Sequence, residues 1–320
     1  MRDKRGRTVD YLRLSVTDRC NLRCRYCMPP EGVCDLGHEA ILRFDEIVRL
    51  VRIMAADGIK KIKITGGEPL VRRGLTELIS ELYALPGVEE VTLTTNGVLL
   101  AEKLTALCKA GVNKINISLD TLDRRRYAEL TGFDELAAVK EAIAACLSCE
   151  VALKINALAL ADSRQEDFLQ LARLAEEEAL DVRFIEVMPI GMGRSEKGVS
   201  ADELIKLFES AFGPARPAAE KRGNGPAEYF DFAGFRGKIG FISPLSHRFC
   251  AQCNRLRLTA DGFLKPCLAA EEGLDLKALL RGGAADGQLA AAIERTLADK
   301  PDGHDFCALQ GGRLMSQIGG

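Results

Sequence analysis

No stretch of this 320-residue chain stays apolar for the roughly 18 residues that a bilayer-spanning helix requires, which argues against a membrane protein. Neither sign of charge is in excess. Lys and Arg total 44 against 46 Asp and Glu, a net charge of −2, so the whole-molecule field favours neither nucleic acid nor an anionic membrane. The opening MRDKRGRTVD lacks the apolar segment of a secretory leader. Its basic residues Arg2, Lys4, Arg5 and Arg7 read as a solvated terminus. A cytoplasmic location follows. Histidine is scarce. His38, His247 and His304 are the only three, with no i,i+4 pair and no partnered Ser or Cys nucleophile. No Walker A motif is present, so a nucleotide would not be held on a P-loop.

Cysteine is not scarce, and its distribution carries the argument. In a reducing compartment, clustered cysteines are metal ligands or catalytic groups rather than disulfides. Cys20, Cys24 and Cys27 form C-x3-C-x2-C within CNLRCRYC. A structural zinc site closes a shell of four ligands, whereas this stretch offers three, with no His within ten residues. Three thiolates suit a four-iron cluster that leaves one iron open for a substrate or cofactor.

The first two thirds of the chain alternate strand and helix patterns. Strand-like runs occupy 11–17, 61–67, 91–97, 114–120, 151–158 and 182–190, each short, rich in Val, Ile and Leu, and closed by Gly, Pro, Asn or Asp. Helical periodicity fills 44–58, 75–85, 101–111, 135–147 and 165–180. Six β/α units in series predict a parallel sheet, because parallel neighbours need a crossover. The expected fold is α/β: an incomplete TIM-type barrel of six β/α units, preferred over an open doubly wound sheet, although periodicity alone does not choose between them. A smaller α+β region closes the open side. It begins after a helix at about 201–212, at the Pro/Gly-rich stretch 213–228, and carries short strands at 228–232, 237–242, 255–259 and 262–264 and a helix near 286–299. The expected domains are 1–213 and 214–320.

The first cysteine triplet follows the first strand, on the edge of the sheet where barrel-type folds place their active sites. TGGEPL at 65–70, TTN at 94–96, SLD at 118–120 and VMP at 187–189 close other strands on that edge. A second triplet, Cys250, Cys253 and Cys267, lies in CAQCNRLRLTADGFLKPC. Its spacing fits a zinc knuckle completed by His247, Cys307 or His304, or a second open iron cluster. Arg255 and Arg257 alternate on a strand, so both point to one face, a pairing suited to phosphate. Cys146 and Cys149 end an apolar helix and read as buried structural thiols. Cys34, Cys108 and Cys307 are isolated.

The first triplet, with an aromatic Tyr26 before its last cysteine and GGEP at the next strand end, resembles the radical S-adenosylmethionine superfamily. YLRLSVTDRCNLRCRYCMPPEG, CNRLRLTADGFLKPCL and the terminal IGG resemble, over essentially the whole chain, its GTP 3′,8-cyclase family of molybdenum-cofactor biosynthesis. The resemblance implies two [4Fe–4S] clusters, one on Cys20, Cys24 and Cys27 and one on Cys250, Cys253 and Cys267. It implies S-adenosylmethionine contacts from Tyr26, Gly67, Ser118 and Met188. Arg13, Lys63, Thr94, Lys154, Arg255 and Arg257 would surround GTP, and Gly319 and Gly320 would enter the active site. Lys63 stands where the family leads one to expect arginine; it keeps the charge and loses the bidentate fork.

The implied activity is that of a lyase. A 5′-deoxyadenosyl radical takes the ribose 3′ hydrogen of GTP, and the carbon radical bonds to guanine C8, giving 3′,8-cyclo-7,8-dihydro-GTP. The alternative is a radical enzyme with an auxiliary cluster acting on a peptide or another small molecule. An electron donor such as a flavodoxin or ferredoxin, a next-step pathway enzyme and a homodimer are implied as partners, with no nucleic acid and no membrane.

Overall fold

The computed structural model describes residues 1–33, 37–149, 151–220, 222–271, 273–304, 306 and 313–319. Cys34, Cys307 and Gly320 lie outside the described residues. The strand and helix patterns fold where the periodicity puts them, with slightly shorter strands. The chain runs through β1 (Tyr11–Ser15), α1 (Phe44–Ala56), β2 (Lys61–Thr65), α2 (Leu75–Tyr83), β3 (Glu90–Thr95), α3 (Leu100–Lys109) and β4 (Lys114–Ser118). It continues through α4 (Arg124–Thr131), α5 (Leu136–Ser148), β5 (Ala152–Leu158), α6 (Gln165–Glu177), β6 (Asp181–Ile185) and α7 (Ala201–Phe212). In α1, Ile47, Leu50, Val51 and Met54 are buried along one face, and the Glu46 carboxylate caps the first turn by accepting from the Arg43 amide at 2.7 Å. α4 is too short and too arginine-rich to show an apolar stripe. Asp123 starts it by accepting from the Arg126 amide, and Gly132 ends it at φ 78°.

The C-terminal third supplies β7 (Arg216–Pro217), β8 (Glu228–Asp231), β9 (Ile239–Ile242), β10 (Arg255–Leu258), β11 (Phe263–Lys265), β12 (Leu274–Asp275), α8 (Leu276–Arg281), α9 (Asp286–Ala298) and α10 (Met315–Ile318). Among the described residues, twelve strands share one sheet in the order β12-β11-β10-β1-β2-β3-β4-β5-β6-β9-β8-β7. β10 lies parallel to β1, and β9 parallel to β6. The central eight strands are therefore parallel, and antiparallel hairpins flank them on both sides.

The sheet has two chemically different faces. Leu12, Leu14, Ile62, Ile64, Leu93, Ile115, Ile117, Ile155, Phe184 and Leu256 belong to one buried core. The intervening residues are polar, and the register aligns them: Arg257 and Lys63 flank Arg13, Asn116 stands between Thr94 and Lys154, and Asn156 stands beside Arg183. Strands buried on both faces of a parallel sheet normally read as continuous apolar runs. Here the second face is built to meet something polar.

Three expectations need correction. Arg7 is not solvated: it is buried against Asp3, with which it forms an ion pair, while Arg2, Lys4 and Arg5 are exposed. The stretch 213–228 is more than a linker, because β7 lies in it and residues 223–226 line the central cavity. Cys149, expected to be buried like Cys146, is exposed.

Phe184 on β6 packs against Phe168, Phe208 and Phe241, with ring centroids 6.0, 5.1 and 6.1 Å away, so it joins α6, α7 and β9. Phe184→Ala should lower the unfolding free energy by about 3–5 kcal/mol. Urea denaturation checks this, and a loss below about 1 kcal/mol would show that the cluster closes over the cavity.

Candidate active site

The loop after β1 carries the first cysteine triplet over the ends of β1 and β2. Gly66 and Gly67 let it come down. A Cβ on Gly67 would lie 2.4 Å from the Arg19 carbonyl oxygen, and one on Gly66 would lie 2.6 Å from that of Thr17. The Gly67 and Glu68 amides donate to the Thr17 and Arg19 carbonyls at 2.8 Å each. Cys20, Cys24 and Cys27 line one cavity of about 320 Å³ together with Tyr26, Gly67, Ser118 and Met188.

The thiols are half-buried and close enough to feel one another. Burial pushes Cys20 up to about 11. Burial and then Cys20 push Cys27 up to about 12. Cys24 is pushed well up by burial, then by Cys27, Asp120 and Cys20. The Leu22 amide approaches the Cys20 sulfur at 3.4 Å and the Asn96 amide nitrogen lies 3.8 Å from it. The Ser316 amide donates to the Cys27 sulfur, while the buried Ser316 hydroxyl has no hydrogen-bond partner. Three neighbouring thiols that resist ionisation, beside an orphaned hydroxyl, fit a cationic thiolate-bound centre, because bound metal stabilises the anions that the apo site disfavours. Among the described residues, no three His, Cys, Asp or Glu side chains are gathered closely enough for a single metal ion. Zinc at the second triplet is open on spacing alone, and one of its candidate completing ligands, Cys307, lies outside the described residues. Beside the triplet, the Tyr26 hydroxyl donates to Asp120 at 2.5 Å, and the Leu158 amide donates to the other carboxylate oxygen at 2.8 Å.

Deeper along the same face the cavity turns cationic. Arg13, Lys63, Thr94, Lys154, Arg255 and Arg257 all line it, as the sequence led us to expect. Arg183 and Lys114, which sequence reasoning missed, line it too, with Asn116, Asn156 and Glu90. Their signal was strand alternation: KINIS and DVRFI point every second residue the same way. Burial holds Lys63 well below the ordinary lysine value, and Arg183 and Arg13 press it further. Arg257 is lowered by burial, then by Arg13 and Arg255. Arg13 falls to about 10, mainly by burial. Lys154 is held by Asp181 at 2.9 Å and by the Tyr229 hydroxyl at 2.8 Å. Arg183 donates to Asn156 at 2.8 Å. A dense set of buried and half-buried like charges is stabilised by a polyanion placed among them.

The second triplet is not in the cavity lining. Cys250 opens a short turn before β10, Cys253 ends it, and Cys267 follows β11. All three are half-buried. Arg255 and Arg257 stand between them and the cavity along β10. Burial pushes the Cys253 thiol up, but Lys300 and Arg255 outweigh it, so its net displacement is downward, towards the thiolate. That chemistry fits a metal ligand. The tail returns to the same edge: Arg257 donates to the Gly319 carbonyl at 2.9 Å. Gly319 has φ +87°, and a Cβ there would lie 3.0 Å from that of Ser15, so glycine is required.

Glu68 supports the loop from beneath, accepting from the Leu70 and Asn96 amides at 3.0 and 2.7 Å and from the Thr95 hydroxyl at 2.8 Å. Burial nevertheless pushes its carboxyl from 4.5 up to about 7. An acid raised in the folded state keeps its proton longer folded than unfolded. Stability therefore falls as pH rises from about 4.5 to about 7, by about 3 kcal/mol from this group. Glu68→Gln should flatten that fall. Urea midpoints at about pH 5 and about pH 8 measure it, and an unaltered pH dependence in the variant would count against burial as the cause.

Comparison with known proteins fits this geometry. Residues 14–175 match the model of the Radical SAM superfamily, and residues 180–306 match that of Molybdenum Cofactor Synthesis C. The chain is 46% identical over 327 residues to a GTP 3′,8-cyclase of Pelotomaculum thermopropionicum and 46% identical to one of Moorella thermoacetica. It is 43% identical over 323 residues to one of Clostridium perfringens, and each alignment covers 100% of both chains. Among solved structures, Streptococcus suis SuiB shares the fold at TM-score 0.61 and 16% identity, covering 90% of this chain and 68% of that one. SuiB bound to S-adenosylmethionine also gives 0.61, covering 93% and 71%.

Proposed function

The chain belongs to the GTP 3′,8-cyclase family of the radical S-adenosylmethionine superfamily, and on that premise we propose how its residues convert GTP to 3′,8-cyclo-7,8-dihydro-GTP for molybdenum-cofactor biosynthesis. One observation carries the reading. The cation-lined face and the first cysteine triplet share a single cavity, so a triphosphate held at one end presents its sugar towards the other.

Cys20, Cys24 and Cys27 would hold the [4Fe–4S] cluster, and Tyr26, Gly67, Ser118 and Met188 would hold S-adenosylmethionine. When bound, that pair would supply one electron to break the cofactor's C5′–S bond, releasing methionine and the 5′-deoxyadenosyl radical that takes the ribose 3′ hydrogen. The chain's own task is placement. Arg13, Lys63, Lys154, Arg255 and Arg257, with Arg183, set their charge against the roughly four negative charges of the triphosphate. Thr94 hydrogen-bonds the nucleotide. This fixes the 3′ C–H within about 3–3.5 Å of its partner, and the buried cavity keeps water from the radical. Cys250, Cys253 and Cys267 hold a second [4Fe–4S] cluster at the base end of GTP. Arg257 also ties down the tail through the Gly319 carbonyl.

The enzyme is a lyase. Its sheet is an incomplete barrel of six β/α units, with residues 214–320 acting as the smaller region that closes the open side. One cavity lined from β10, through β1 to β6, to β9 supports curvature, because eight flat strands at about 4.8 Å spacing would hold the outer two far apart. Among the described residues no helix is long and apolar enough to cross a membrane, and we place the enzyme in the cytoplasm. It draws its electron from a flavodoxin or ferredoxin, acts as a homodimer and passes its product to the next pathway enzyme. A peptide substrate is less favoured, because the row of buried cations has no use in binding one.

Under anaerobic conditions, with dithionite, S-adenosylmethionine and GTP, mass spectrometry should find 5′-deoxyadenosine and the cyclised nucleotide. Formation of 5′-deoxyadenosine without a GTP product would keep the radical chemistry and overturn the substrate. Arg257→Ala should leave iron content unchanged and weaken GTP binding about 10–100-fold. Unchanged affinity in that variant would remove the residue from the nucleotide site.

A further inference from the structure

The N-terminal segment and the end of α9 meet behind the second cysteine triplet. Asp3 accepts from the Arg5 and Arg7 amides at 3.0 and 2.9 Å and from the Arg7 Nε at 2.5 Å. The turn so formed aims the rest of the guanidinium inward. One Arg7 amino group donates to the Cys250 carbonyl at 2.8 Å. The other donates to the carbonyls of Lys300 and Pro301 at 3.1 and 2.9 Å. Lys300 is 4% exposed. Its ammonium donates to the Arg255 carbonyl at 2.8 Å and the Pro266 carbonyl at 2.6 Å, and its third hydrogen bond goes to the Cys253 side chain. All three donors of this ammonium are used.

Burying two cations is costly unless every donor is matched, and packing alone would be served by apolar side chains. These donors end on the backbone of Cys250, on the sulfur of Cys253, on the residue before Cys267 and on the strand residue Arg255. We propose that Arg7 and Lys300 are positioning residues for the second triplet: Arg7 fixes Cys250, while Lys300 ties Cys253 to Cys267 and places an ammonium group beside the metal centre. This rests on the reading that the second triplet holds an iron–sulfur cluster. The basic residue at position 7 thereby gains a role that its position in a charged terminus conceals.

The test uses the full chain with Cys20, Cys24 and Cys27 replaced by alanine, reconstituted anaerobically with iron and sulfide, so that iron reports on the second triplet alone. This parent should hold about four irons. Arg7→Met, and the milder Asp3→Asn, should lose more than half of that iron while their thermal midpoints stay within a few degrees of the parent's. Lys300→Met should keep iron but show a lower midpoint potential and a changed electron paramagnetic resonance spectrum, because a nearby positive charge favours the reduced cluster. A loaded parent whose variants keep both iron and potential overturns the proposal and leaves the cluster reading intact. Iron lost only in proportion to unfolded protein also overturns it, since the residues would then be structural. A parent that takes up no iron overturns the proposal and the cluster reading together.

Discussion

The organising constraint is the burial of like charge. Lys63 and Arg257 are both under 10% exposed, and Arg13 lies beside each of them in the strand register. A protein pays for such an arrangement unless an opposite charge arrives. The opposite face of the same strands compensates, with a continuous apolar core under the helices. The sheet thus separates two tasks, one face holding the fold together and the other kept ready for a polyanion.

This separation explains why the C-terminal third belongs to the same sheet. β10 pairs with β1 so that Arg257 stands opposite Arg13. The strand that leads out of the second cysteine turn also completes the cation row, and the tail docks on it through Gly319. A shift of β10 by one residue would turn Arg255 and Arg257 into the core. The register is therefore where the second cysteine turn and the cation row are coupled.

Much of this was legible in the sequence. The cysteine spacings, the GGEP turn and the β/α alternation are local patterns, and local patterns survive in one dimension. The six parallel units and the strand-end placement of Cys20, Gly67, Ser118 and Met188 follow from them. Arg183 and Lys114 were harder, because each lies in a strand whose face becomes known only when its neighbours are paired. The contacts of Arg7 span 243 and 293 residues, so no local window could show them, and a basic terminus ordinarily points to water. The 213–228 stretch misled for a related reason. Glycine and proline signal irregular backbone, yet irregular backbone at Gly223 and Gly225 can come close to Lys154 and Arg255, where a Cβ would lie 3.7 Å from each cation.

The central claim is that the buried cations are there for a chain of phosphates. The most direct measurement is thermal unfolding of the anaerobically reconstituted protein with equal concentrations of GTP, GDP and GMP. Binding to the folded state alone raises the midpoint in proportion to the logarithm of affinity. The account predicts a rise that grows with each added phosphate, largest for GTP. Equal rises for all three nucleotides, or none, would contradict it.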